Sequence, residues 1–425
     1  MTSHLKVINN GVPMMSVVRF RERLWCPRHV AMRSCRTDVD AGRVHWTKII
    51  VLPLVVALIG GAGCALPVGS KPVKIEPRDV GVMIYVGNET VKHYKPKAAL
   101  VTDSHPMSKA RFPVIDVHCH WDLEVDREKM INAMDERGVQ IAVNLSGGHG
   151  AQLDQILSRY YRFAPDRFFI FCTPDFSRID EPQFGQKAAE FLAQARLQGA
   201  AGLKIYKDLG LRIKDKSGLL VPVDDPRLDP LWARAGQLNM PVLIHTADPA
   251  AFFEPIDRFN ERWMQLKRHP NWSFSSSSFP RRETLLAQRN RVIERHPQTI
   301  FIGAHVGSSA GDLKALAAVF DKYPNFYVDI SGRVAELGRQ PYSARAFFIK
   351  YQDRILFGTD RYPGRPSQPR YRIYYRFLET KDEYFDYYDH AFPPTGEWKI
   401  YGIDLPHDVL EKIYFQNAWG ILSQK

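Results

Sequence analysis

Two hydrophobic rhythms alternate along the body of the chain. Eight short runs are apolar and rich in β-branched residues: VIDVHCHW (114–121), IAVNLSGG (141–148), FFIFCTPDF (168–176), AGLKIYK (201–207), PVLIHT (241–246), TIFIGAHVG (299–307), NFYVDIS (325–331) and RILFGTD (354–360). Runs of this length and composition predict buried strands. Between them lie stretches with helical spacing, such as DREKMINAMDERG (126–138), QKAAEFLAQARLQG (186–199) and DLKALAAVFDKYP (312–324). The last places Leu313, Leu316, Ala317 and Phe320 on one helical face, and Pro324 stops it. Strand–helix alternation predicts an α/β fold with a parallel sheet covered by helices, and eight strands close a (β/α)8 TIM-type barrel. A doubly wound open sheet is the alternative, but no glycine-rich nucleotide loop follows the first strand.

Three connections exceed what a barrel needs. Residues 208–225 read as a hairpin turning at Lys216-Ser217-Gly218, residues 247–285 carry Phe252, Phe253, Trp263, Trp272 and Phe274, and residues 361–400 are rich in Tyr, Arg and Pro. These insertions follow strands 4, 5 and 8, so in a barrel they cover the carboxyl ends of the strands, the face that builds active sites. The aromatic insertion is expected to act as a lid. The domain reading is a leader (1–64), an arm (65–112) with a short hairpin over 80–94, and the barrel (113–425).

Composition changes this picture mainly at the N-terminal end. The 425 residues are 45% hydrophobic and 24% charged, as in an ordinary globular protein. The net charge of +12 is concentrated: residues 1–48 hold nine Lys/Arg against three acids, half of the excess. The body has no Lys/Arg stripe interleaved with aromatics, so nucleic acid is not an expected partner. The apolar stretch Ile49–Ile59 is short for a membrane span and suits the core of a secretory signal. The small residues Gly60 to Gly63 follow, ending at Cys64, which resembles the lipid-modification box of bacterial lipoproteins, with Gly61 where that pattern usually has Leu. The expectation is export to the cell envelope or periplasm, with a lipid anchor on Cys64. An uncleaved anchoring helix is the other reading. If Cys64 is acylated, only Cys119 and Cys172 remain in the body, too few for a disulfide framework.

The candidate chemistry sits at the strand ends. Alternation puts Asp116, His118 and His120 on one face of the first strand. His118 and His120 close strand 1, Lys204 lies in strand 4, His245 closes strand 5, His305 strand 6 and Asp360 strand 8. In a barrel these ends converge on one mouth. His118, His120, His245 and Asp360 suit one divalent metal, zinc foremost, with water completing the shell. His305 stands where a general acid/base or carbonyl-polarising group is needed, and Asp360 can also position the water. Asp116 is expected to anchor the strand rather than bind metal. Lys204, Arg333 after strand 7 and His149 after strand 2 are candidates for binding a small-molecule substrate. Each also reads as an ordinary structural or surface residue.

The motifs IDVHCHW, PVLIHT, FIGAHVG and ILFGTD, with the closing segment LPHDVLEKIYFQNAWGIL (405–422), resemble the amidohydrolase-related branch of the amidohydrolase superfamily. That branch includes aminocarboxymuconate-semialdehyde decarboxylase, γ-resorcylate decarboxylase and pyrone-dicarboxylate lactonase. The resemblance covers residues 113–425 and implies the same metal ligands, with His305 acting on substrate or water. Some relatives bridge two metals with a carboxylated strand-4 lysine, which would be Lys204 here. The expected function is metal-dependent hydrolysis of an ester, lactone or amide. Non-oxidative decarboxylation of an aromatic or enoic acid is the enzymatic alternative, and a cell-surface binding module with a retained metal is the alternative of another class. Oligomeric state stays open.

Overall fold

The computed structural model describes residues 96–364, 370–388 and 393–424. The leader, Cys64 and the hairpin expected over 80–94 lie outside the described residues. Eight parallel strands form one sheet in chain order: β1 (Val114–Cys119), β2 (Val139–Asn144), β3 (Phe168–Cys172), β4 (Gly202–Ile205), β5 (Val242–Ile244), β6 (Phe301–Gly303), β7 (Phe326–Asp329) and β8 (Ile355–Leu356). Backbone bonds from Val117 N to Phe357 O (3.0 Å) and from Asp360 N to His118 O (2.8 Å) join the last strand to the first. The molecule is a (β/α)8 barrel, as the eightfold alternation predicts.

The alternation of side chains builds two cores. Leu243, Ile302 and Leu356 belong to a small buried cluster with Ile115, Val117, Ile141 and Val143. Their neighbours Val242, Ile244, Phe301 and Ile355 join the larger cluster that includes the helices. Burying both faces explains why the strands read as continuous apolar runs rather than alternating ones.

The strands are shorter than their sequence runs, because each run continues past the last ladder bond into a loop. His120, His245, His305 and Asp360 all lie in those continuations. On β1 the expected single face is broken. Asp116 pairs with Ala142 and Cys119 with Asn144, so β1 carries one extra residue between the two pairings. Such a bulge re-aims side chains. Asp116 faces Thr359 and Tyr371, while the His118 ring faces Asp329 and Ser331.

The three long connections take different forms. The first is the expected hairpin: Lys214 bridges Leu220, and Gly218, at φ +82°, takes the left-handed turn position. The second contains the helix Trp263–Arg268, and its Phe252, Leu266 and Phe274 are buried in the core rather than exposed. The third contributes the helix Arg370–Glu379. Residues 96–112 lie along the barrel, with Met107, Ala110 and Phe112 packed against the larger cluster. Among the described residues, no helix is long and apolar enough to cross a membrane.

Candidate metal centre and cavity

Gly358 lets β8 pass close beneath the first histidine. A Cβ there would sit 3.0 Å from His118 Cβ and 3.3 Å from Asp329 Cβ. Two residues on, Asp360 adopts φ +60° and lies 3.6 Å from His118 Nε2 and 3.7 Å from His120 Nε2 through its Oδ1. One carboxylate oxygen thus meets both imidazoles of the H-x-H pair.

Each of those rings is held from behind. His118 Nδ1 lies 2.9 Å from Asp329 Oδ2 and 2.9 Å from Ser331 Oγ. A buried carboxylate can only accept, so His118 carries its proton on Nδ1 and turns the Nε2 lone pair toward Asp360. His120 Nδ1 is bonded to Ser146 Oγ at 2.8 Å. Outer-nitrogen partners of this kind orient histidines that bind metals. Burial alone would raise Asp329, but His118 and the Ser331 donors outweigh it and bring its carboxyl down to about 2. For Asp360 as well, His118, His120 and Arg370 overcome burial and lower it. Burial, with His118 and Lys204 close by, pulls His120 down to about 3.

His305 does not close a strand; it opens a left-handed turn. His305, Val306, Gly307 and Ser308 have φ of +59°, +60°, +56° and +56°. For the non-glycine residues this conformation costs roughly 1–2 kcal/mol each, and Val306 is β-branched. Two arginines of the helix Arg282–Arg295 pin the turn: Arg289 Nη1 donates to Gly307 O at 2.7 Å, and Arg282 donates to Ser308 O. His305 Nδ1 lies 2.8 Å from Ser331 O, so the proton is on Nδ1 and Nε2 keeps its lone pair. Burial, with His245 and Arg333 nearby, holds His305 well below the ordinary imidazole range, so it is neutral.

His118, His305 and Asp360 each offer a ligand atom within 4.8 Å of the others. Of the four residues expected to bind metal, His118 and Asp360 are in this group, whereas His120 and His245 are not and His305 takes a place in it. His245 stacks edge-on to His305, with ring centroids 4.5 Å apart. Its buried Nε2 makes no hydrogen bond and lies 3.5 Å from Asp248 Oδ1. Asp248 in turn binds Lys207 Nζ at 2.6 Å. Although burial opposes it, the contacts with His245 and Lys207 lower Asp248 to about 2. The donor set, with its oriented rings and an orphaned buried imidazole nitrogen, fits a divalent metal.

Of the remaining candidates, Lys204 is 1% exposed and burial lowers it to about 8, against the opposing pull of Asp329 and Asp360. Arg333 lines a cavity of about 430 Å³ that also reaches His245, His305 and Asp360. His149 does not line it; its half-exposed ring lies 3.8 Å from Asp175. Asp116 is a strut, accepting from His118 N, Thr359 N, Thr359 Oγ1 and Tyr371 OH. Burial raises it to about 6 despite those donors. Sequence reasoning missed Asp329 and Ser331, which hold His118, Asp248, which lies beside His245, and Arg262, which the second insertion brings to the cavity wall.

The model of the family described as Amidohydrolase matches residues 115–421. No curated protein matches. Among solved structures, a 2,6-dihydroxybenzoate decarboxylase complexed with 2,6-dihydroxybenzoate is 14% identical, with a TM-score of 0.48, covering 73% of this chain and 99% of its own. A dihydroxybenzoic acid decarboxylase from Polaromonas, with bound manganese and 2-nitroresorcinol, is 14% identical at TM-score 0.47, covering 73% and 97%. A dihydroorotase from Campylobacter jejuni is 15% identical at TM-score 0.42, covering 76% and 87%.

Proposed function

Since the chain belongs to the amidohydrolase family, we propose that it is a metal-dependent hydrolase acting on an ester, lactone or amide of a small anionic molecule. The observation that carries this reading is the convergence of His118, His120 and neutral His305 on Asp360. His118, His120, His245 and Asp360 would hold the ion, and zinc is the ion proposed. When bound, such an ion polarises a carbonyl oxygen and makes the water it holds more acidic.

The chain's own residues supply the rest. Asp360 accepts a hydrogen bond from the attacking water and orients it. His305 Nε2 takes the water proton as the oxygen attacks the carbonyl carbon. It returns the proton to the leaving oxygen or nitrogen as the acyl bond breaks. Lys207, Arg333, Arg361 and Arg370 line the same cavity and favour the negative charge that builds on the carbonyl oxygen.

Decarboxylation is the second reading, favoured by aromatic walls at Phe252, Trp272, Tyr374 and Tyr387 that suit a planar acid. Losing CO2 takes the negative charge off the carboxylate oxygens, which a cationic wall holds, and leaves it with the bond pair on carbon until a proton is added, so hydrolysis is preferred. The test is to incubate metal-loaded protein with carboxylated esters and lactones, and separately with aromatic and enoic acids. Acid release without CO2 supports hydrolysis. Stoichiometric CO2 assigns the decarboxylase, and turnover of neither class favours a metal-retaining binding module. Export and lipid attachment at Cys64 are part of the proposal, and a Cys64→Ser variant should leave the membrane fraction while keeping its fold.

A further inference from the structure

Two left-handed stretches of backbone meet beside the metal centre. After β5 the chain runs from His245 to Asp248, with Ala247 at φ +61°. After β6 it runs through the turn of His305, Val306, Gly307 and Ser308, all at positive φ. Ser308 Oγ donates to Ala247 O at 3.2 Å, and both residues are buried. These loops carry the two imidazoles whose ring centroids lie 4.5 Å apart. The spacing of the loops is therefore the spacing of His245 and His305.

One side chain spans both loops. Arg282 Nε donates to Asp248 O at 3.2 Å, and a terminal nitrogen of the same guanidinium donates to Ser308 O. The stability of its helix does not account for an arginine there. Arg282 is the first residue of the helix Arg282–Arg295, where a positive charge opposes the helix dipole. Nor does an ion pair. Its side chain is 15% exposed, but its partner Glu283, 3.6 Å away, is solvent-exposed, and such pairs contribute little. What the position does provide is a planar fork with N–H groups aimed at carbonyls on different loops. A lysine ammonium, a single point of charge on a flexible stem, does not reproduce that geometry.

We propose that Arg282 is a positioning residue of the metal centre, stapling the loop after β5 to the turn after β6 and so setting the separation of His245 and His305. It acts through the backbone on which the two imidazoles stand. Non-glycine residues held at positive φ store strain and persist only where their surroundings hold them. Arg289 holds Gly307 O at 2.7 Å, within the β6 turn alone. Losing Arg289 would loosen one loop, whereas losing Arg282 uncouples two. The staple rests on the metal-dependent reading of the centre, and it is the same for hydrolysis and decarboxylation, which use the same histidines.

The experiment compares the full-length chain with Arg282→Met, Arg282→Lys and Arg291→Met. Arg291 lies on the same helix but pairs with Asp224 at 2.6 Å, so its variant reports on the helix alone. The probe is cobalt(II), whose visible absorption follows the geometry of its ligands. In competition with a chelator, Arg282→Met should bind cobalt roughly 10- to 100-fold more weakly, the scale of losing a group that orients metal ligands, and its absorption should shift. Arg282→Lys should recover part of the affinity, and Arg291→Met should match the wild type. In the metal-free proteins, amide exchange in Arg282→Met should rise across 245–248 and 305–309 together, but not across 286–295. A folded Arg282→Met with wild-type cobalt affinity and absorption, or with faster exchange in only one of the two loops, would overturn the staple. A wild-type chain that takes up no cobalt removes the metal reading, and the exchange of the two loops then decides the staple by itself.

Discussion

His118 Nδ1 and Asp329 Oδ2 stand 2.9 Å apart, both buried, joining the end of β1 to the end of β7. The bond sets which nitrogen of His118 carries the proton and so directs its lone pair at Asp360. Ser331 Oγ touches the same nitrogen and also His305 Nδ1, which couples the two imidazoles through one hydroxyl.

Asp329→Asn should weaken metal binding without removing any ligand. An amide can turn its NH2 toward His118 Nδ1, which shifts the ring proton to Nε2 and blocks the lone pair. Loss of such an outer partner costs roughly 10- to 100-fold in metal affinity. Competitive chelator titration measures it, and unchanged affinity in a folded variant would remove Asp329 from the centre.

His305 and Asp360 should separate when metal content and turnover are measured together. His305→Asn is expected to keep its metal while turnover falls by a factor on the order of 10² to 10⁴, the usual worth of a general acid/base. Asp360→Asn should lose affinity as well as rate, because it removes the charge that both His118 and His120 face. Since His305 shares a tight group with His118 and Asp360, the alternative outcome has a structural basis: metal loss in His305→Asn would make it a ligand.

How much of this was legible in the sequence follows from where each residue sits. The strands announced themselves because both faces are buried, and His118, His120, His245, His305 and Asp360 stood out as polar breaks at the ends of apolar runs. Asp329 carried the same signal in YVDIS, but a single acid ending a strand is common and its partner is 211 residues away. The bulge on β1 left no trace, since one extra residue changes register without changing composition. Nor did the left-handed turn at His305: only Gly307 within it marks positive φ, while its support comes from Arg282 and Arg289. Arg262 could not be read because its place depends on how an irregular insertion packs. The same packing changes what the insertion is. Leu266 and Phe274 are buried at 0% and 3% exposure, so it is a fixed part of the core as well as a cover, and deleting it would unfold more than the mouth.

The clasp between residues 96–112 and the barrel should respond to pH. His105 donates through its backbone N to Asp382 Oδ2 and places its ring Nδ1 at 2.5 Å from Oδ1, while Arg376 holds the same carboxylate. The hydrogen bond and the charge of Asp382 raise His105 above its ordinary 6.5. A raised folded value means that the contribution is fully present below pH 6.5 and is lost as pH rises through the folded value. Amide exchange across 96–112, corrected for intrinsic rates, should therefore accelerate from pH 6 to pH 9. In His105→Ala it should be fast at both, and a pH-independent wild type would rule the clasp out.

Lys204 decides how many metals the centre holds. Its ammonium is buried in β4, 5.2 Å from the Tyr206 ring centroid, and Asp329 and Asp360 act to keep it charged while burial brings it to about 8. A lysine in that range has two possible uses. As an ammonium it balances the two carboxylates beside a single ion. As a neutral amine it adds CO2 and becomes a carbamate that bridges two ions. Asp329 and Asp360 already supply negative charge on either side of His118, and a carbamate without a second cation would add more to a buried site. The ammonium is therefore the expected state, with one metal per chain whether or not bicarbonate is supplied during loading. Lys204→Met should keep that stoichiometry and lower turnover, because the counter-charge is lost while the ligands stay. Elemental analysis of both proteins, loaded with and without bicarbonate, gives the answer. Two ions per wild-type chain that depend on bicarbonate and disappear in Lys204→Met would make Lys204 the bridge.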